Sequence, residues 1–353
     1  MDFAQRMRQW GRALRGSVAG IGAPGVGAAP RDPKLPPPQV APAMRLYATL
    51  PWGRIARTAG VALVLLVLSY PFLAWLAHTI DDDPAFAPEA VPAGGSRTVA
   101  VMTALIHREV DQHGWAANDP WFWPTALLDN MPNYQIGMVG AVARFSFELT
   151  DQIGRTRGSS AADPDLQQAA GLLQYSPRTW VWNPSTSFLP TATTEAQYRR
   201  AAEALESYNA RLARGEAVFD RRSDNLLATL DRIAADLGSS SAALELRIAE
   251  ASFLPVDLAA DDLFYQVKGQ LYAYYLILGA LEQDFAPVIQ QRDLGPVYRQ
   301  LLDSLAAAIA LRPRVVMNAD PDGAIFNSHL TAQGFYLLRA RTQLRELTNI
   351  LQK

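Results

Sequence analysis

The residues of this 353-residue chain best suited to chemistry gather between Trp115 and Tyr134, where five of 20 positions are aromatic. Asn118-Asp119-Pro120, Trp121-Phe122-Trp123-Pro124 and Asp129-Asn130-Met131-Pro132-Asn133-Tyr134 place carboxylates and amides beside those rings. Three chemistries fit. The stretch can be a structural plug whose indole N–H groups bond to loop carbonyls. It can be a recognition surface for a partner protein, a glycan or a lipid, with Trp115, Trp121, Trp123, Asp129, Asn130, Asn133 and Tyr134 as contacts. It can also be catalytic, with Asp119 and Asp129 as the paired carboxylates of glycan hydrolysis, although nothing in the sequence fixes their separation.

A second constellation, Asn318-Ala319-Asp320-Pro321-Asp322-Gly323, repeats the first half of a calcium loop, with oxygen ligands at alternate positions and a turn glycine. The twelfth position, where a bidentate Glu belongs, is His329. Asn318, Asp320 and Asp322 are therefore either a weakened cation site or part of a Pro-Asp-Gly turn between helices.

Other chemistry is thinly represented. With no cysteine, the chain has no disulfide, thiolate metal site or Cys nucleophile. His107 and His113 stand six apart, a spacing that does not align them on a helix. No His-Glu-x-x-His, Gly-x-Ser-x-Gly or phosphate-loop pattern occurs, leaving a triad built on His329 as the one open nucleophilic arrangement. The expectation is a non-enzymatic protein without a cofactor.

What must position these residues begins with an uncharged run, Thr58 to Ala77, whose helical length of roughly 30 Å matches a bilayer's hydrocarbon core. Arg45, Arg54 and Arg57 precede it and Asp81, Asp82 and Asp83 follow. A buried core helix and a cleaved signal peptide are the competing readings. Residues 1–57 hold nine Lys/Arg against two acidic residues, and the remainder of the chain is acidic. By the positive-inside rule the N-terminus is cytoplasmic and everything after about Thr79 lies across the membrane. That acidic outer part argues against nucleic acid as a partner.

The chain then divides as follows. Residues 1–15 form a basic amphipathic cytoplasmic helix and 16–54 a disordered Gly/Pro-rich linker. Residues 55–78 cross the membrane, 79–96 are a periplasmic linker holding the domain off the bilayer, and 97–353 are an all-helical domain. The expected partners are the lipid bilayer, an envelope protein, and a glycan or lipid ligand.

The Trp121-Phe122-Trp123-Pro124 and Leu127-Leu128-Asp129-Asn130-Met131-Pro132-Asn133-Tyr134-Gln135 motifs, after Gly114-Trp115, resemble an uncharacterised bacterial family of single-span inner-membrane proteins. The resemblance covers most of the chain from the membrane segment onward. It implies location and architecture, not an activity.

Periodicity supplies the rest. Val99, Met102, Ile106 and Val110 mark a helix with Glu109 and Asp111 on its polar side. Tyr134–Ile153 is another, with Gly137, Gly140 and Ala141 permitting close approach of a neighbour. Asp163-Pro164 opens a short one. Tyr198, Leu205, Leu212, Phe219, Leu226 and Ile233 recur every seven residues, which predicts one long helix near 195–237, capped by Thr194 with Gln197 and ending near Gly238; a hairpin turning at Gly215 is the alternative. Helices over about 241–252, 259–284, from Val297 to Ile309 and from Phe335 to Leu351 complete an all-α, elongated bundle.

Overall fold

The computed structural model describes residues 52–77, 79–154, 162–182, 188–251, 257–320 and 328–353. The expected amphipathic helix at 1–15 and nearly all of the 16–54 linker lie outside them. The chain divides into two compact units, residues 1–63 and 64–353. Within the first, only the opening of helix α1 (Trp52–Ala77) is described. Its Gly53–Leu73 window is long and apolar enough to cross a membrane, and none of it is buried.

The described residues of the second unit form helices joined by loops and turns, with no β-strand among them. After the last part of α1 come α2 (Arg97–His107), α3 (Asn130–Glu148), α4 (Pro164–Leu173), α5 (Thr194–Ala213), α6 (Ser223–Ala249), α7 (Leu258–Asp284), the short α8 (Ala286–Gln291), α9 (Gly295–Ile309) and α10 (His329–Leu351). α7 is the axis. Its apolar side chains point all round because it is enclosed: α2, α3 and α9 pack directly on it, α4 and α5 back the first two, and α6 and α10 pair beside it.

Close approach of α3 and α7 rests on two glycines. A Cβ on Gly137 would lie 1.8 Å from the Gln266 carbonyl oxygen, and one on Gly269 would lie 2.0 Å from that of Tyr134. At Gly140 a Cβ would meet nothing within 4 Å. The ends of α2 and α7 are also joined. Asp284 accepts from the hydroxyls of Ser96 and Thr98 and from the backbone N–H groups of Arg97 and Thr98, covering donors that a helix N-terminus leaves unpaired.

The single long helix near 195–237 does not form. All six heptad residues are buried, but α5 stops at Ala213 and α6 starts at Ser223. Gly215 sits at φ +75° and closes α5, with its own N–H on Leu212 O and that of Glu216 on Arg211 O. This is a Schellman termination, which a left-handed glycine makes possible. The two helices do not continue as a paired hairpin: α5 packs on α4 and α2, and α6 packs on α10. Phe219 keeps the heptad spacing from the intervening loop, its ring 5.9 Å from that of Phe285. α6 also runs straight through Gly238 to Ala249, absorbing the short helix expected at 241–252. The cap of α5 is Thr193, one residue before the expected Thr194.

Candidate functional site

The aromatic stretch divides into an inward and an outward half. Trp115 is only 4% exposed, packs edge-on against Tyr198 at 5.1 Å and donates its indole N–H to Pro177 O at 2.8 Å. Tyr134 and Asn133, on the first turns of α3, are buried as well. Trp121 is 86% exposed and Trp123 53%, on the turn that precedes the short 3-10 segment Pro124–Leu127. Thus Trp115, Asn133 and Tyr134 belong to the core, and Trp121 and Trp123 belong to the surface.

A second loop joins the outward half. Phe122 meets the ring of Trp180 at 6.0 Å, and beyond it Trp182 is half exposed and Phe188 is 85% exposed. Asn118 fastens the bases of both loops, its amide donating to Thr179 O and to Glu195, each at 2.9 Å. The two loops, joined where Phe122 meets Trp180 and braced by Asn118, carry these exposed aromatic side chains.

Four carboxylates belong to this stretch or meet it from α7. Asp262, on α7, accepts from Asn133 at 2.7 Å. Burial and then Asp129, with which it shares a hydrogen bond, push its carboxyl up; such a bond requires a proton on one partner. Asp261 is pushed up to about 6, by burial first and by Asp129 and Asp262 next. Asp119 accepts from the hydroxyl of Thr125. Asp129 is exposed and Asn130 is half-buried at the start of α3.

Beneath the inward half is a buried ionic cluster that sequence reasoning missed. It closes on the irregular segment Ile80–Phe86, which follows α1. Asp82 is 5% exposed; Lys268 of α7 meets it at 2.7 Å, and Arg312 holds its other face. Burial alone would raise the Asp82 carboxyl, but those two cations hold it below the ordinary carboxylate range. Burial lowers the Lys268 ammonium against the pull of Asp82, and Leu311 O accepts a further bond from it at 2.7 Å.

Tyr134 donates to Asp81 O, and Tyr272 donates to Asp83 O, each at 2.9 Å. Arg108 donates to Tyr272 and Glu109, both at 2.8 Å, lies 3.5 Å from the Asp81 carboxylate and stacks 4.5 Å over Phe86. Glu109, expected on a polar face, is fully buried. A π-turn over Arg108–Gln112, closed by His113 N–H on Arg108 O, shifts the helical register and turns it inward. Burial opposes its charge, yet His113, Arg108 and Gln135 hold its carboxyl low.

The 318–322 constellation serves the fold where it is described. Asn318 is buried, and its amide nitrogen donates to Arg247 O at 2.8 Å. His329 accepts from the Met317 N–H through Nδ1 at 3.1 Å. Asp320 is exposed, and Asp322 lies outside the described residues. Among the described residues no three His, Cys, Asp or Glu side chains gather to hold a metal ion.

A family model described as "Uncharacterized protein conserved in bacteria (DUF2333)" matches residues 89–259 and 256–353. The match therefore starts beyond α1 rather than at the membrane segment. No curated protein and no solved structure matches the chain. The chain belongs to the DUF2333 family.

Proposed function

We propose that this DUF2333 protein is a membrane-anchored, non-enzymatic interaction or scaffold protein of the cell envelope. α1 holds it in the inner membrane, its basic N-terminal segment faces the cytoplasm, and its helical domain faces the periplasm. The observation that carries this reading is the latch on Ile80–Phe86. Two cations, two tyrosines and a stacked arginine hold the segment that leaves α1, which supports a domain set in position over one swinging on a tether. Fixed placement is what a scaffold needs. Phe335 and Leu338, exposed one turn apart on α10, offer an apolar contact for a protein partner.

Photo-crosslinking in intact cells, with probes replacing Phe335 and Leu338, tests the reading. A discrete protein adduct is expected at one of the two positions. Absence of any protein adduct at both, with the protein present at normal level, overturns it.

A second reading, a binding module for a cell-wall glycan or a lipid, draws support from Trp121 and Trp123 standing exposed beside Asp129 and Asn130. Co-sedimentation with isolated cell-wall sacculi that Trp121→Ala abolishes would establish its glycan form; no co-sedimentation of the unsubstituted protein removes that form.

A further inference from the structure

We propose that the aromatic rim formed by Trp121, Phe122, Trp123, Trp182 and Phe188 is seated in the headgroup region of the same bilayer that α1 crosses. This goes beyond the scaffold reading and rests only on its anchoring step.

Three observations carry it. The first is chain length. Only four peptide steps separate the end of α1 at Ala77 from Asp81, whose carbonyl is bonded to the core residue Tyr134. Fully extended they reach about 14 Å at most, so the floor of the domain stays within that distance of the helix exit.

The second is level. The hydroxyl of Tyr70, in α1, donates to the Phe122 carbonyl in the middle of the rim. Tyr70 lies seven residues before Ala77, where the uncharged run and α1 both end. At 1.5 Å per residue that is about 10 Å along the helix from this end, within the ~5–10 Å to which interfacial apolar groups sink at the headgroup and acyl-chain boundary.

The third is chemistry. Tryptophan and phenylalanine rings with their bodies exposed suit this boundary, where an apolar ring and an N–H donor are both accommodated. The exposed Arg178, two residues before Trp180, adds a cation for lipid phosphate. Asn118 and Trp115 brace the two loops from below, so seating the rim costs little ordering of the chain.

The chain has no cysteine, so single-cysteine labelling needs no other change. The full chain would be reconstituted into vesicles of phosphatidylethanolamine and phosphatidylglycerol, with spin labels at position 67, 121, 123, 188 or 335, one per variant. Accessibility to oxygen and to a water-soluble nickel chelate gives the depth of each label. Position 67 is expected deep in the bilayer, 121, 123 and 188 at headgroup depth with an oxygen-to-nickel ratio severalfold above that of 335, and 335 in water.

Position 67 deep with 121, 123 and 188 as water-accessible as 335 overturns the docking and leaves the anchor standing. Position 67 in water overturns the anchor and the docking with it. Trp121 and Phe188 are exposed enough that labelling them leaves the packing intact; a circular dichroism spectrum unchanged from the parent chain verifies this.

Discussion

Asp82 shows how much one side chain holds in this protein. It is buried between Lys268 and Arg312, and removing it leaves the Lys268 ammonium at 3% exposure with the Leu311 carbonyl as its remaining hydrogen-bond partner among the described residues. Breaking a buried pair from one side is costly, so Asp82→Ala is expected to lower unfolding free energy by about 3 kcal/mol. The double change Asp82→Leu with Lys268→Met removes both charges and should recover most of that loss, since Arg312 is exposed and can turn to water. Urea unfolding of the three variants measures this; a double variant as unstable as Asp82→Ala would refute the pair as the cause.

Asp261 behaves in the opposite sense. Its folded-state pKa is raised from 3.8 to about 6, so the folded chain keeps a proton that the unfolded chain releases between those values. Stability from this group therefore falls as pH rises through that window, and the full penalty is present above 6. Asp261→Asn should stabilise the protein at pH 7.5 by about 1–2 kcal/mol, discounted for its partial exposure, with the gain shrinking toward pH 4. The sequence revealed little of either site. Asp82 reads as a charge flanking an apolar run, and its partner Lys268 stands far along the chain; only the fold brings them together. Burial of Trp115 and exposure of Trp121 were equally hidden, because a non-periodic turn gives no phase from which to tell its two sides apart.

Elements were far more legible, because apolar spacing carries their phase. α2, α7 and α9 follow the periodic residues that mark them, whereas Phe335, one of the residues that marked α10, lies on its exposed side with Leu338 and the helix starts earlier, at His329. Small residues in α3 correctly signalled a close neighbour, but only Gly137 is required for it. Gly137→Ala must push α3 away from the α7 backbone and should cost about 3 kcal/mol, whereas Gly140→Ala, in open space on the same helix, should stabilise by about 0.5–1 kcal/mol. Thermal melts of the two variants should move in opposite directions. The heptad through Tyr198 and Ile233 illustrates the limit of such patterns. It identified six core positions correctly, but spacing cannot register whether the chain between them stays helical. The left-handed Gly215 was the available sign, and hydrophobic repetition outweighed it.

The second unit is assembled around α7, and the irregular segment after α1 forms part of that assembly. A chain beginning at Thr79 retains every latch contact and should melt close to the helical domain of the full chain. A chain beginning at Ala87 keeps Ser96 on Asp284 but leaves Lys268, Arg108, Tyr134 and Tyr272 without their partners from Asp81–Phe86, and its melting temperature should fall by on the order of 10 °C. Differential scanning calorimetry on the two distinguishes a structural segment from a passive linker. Sequence composition marked residues 79–96 only as rich in proline, glycine and alanine, and such composition carries no sign of what its few charged members will meet. Four peptide steps between α1 and the latch also leave almost no slack. A helix spanning a bilayer changes its tilt when the membrane thickens or thins. If α1 spans a bilayer as proposed, a following segment pinned at Asp81 and Asp83 leaves little loose chain to absorb that tilt, which would pass to Tyr134 and Tyr272 as torque and make the domain a mechanical gauge of the membrane.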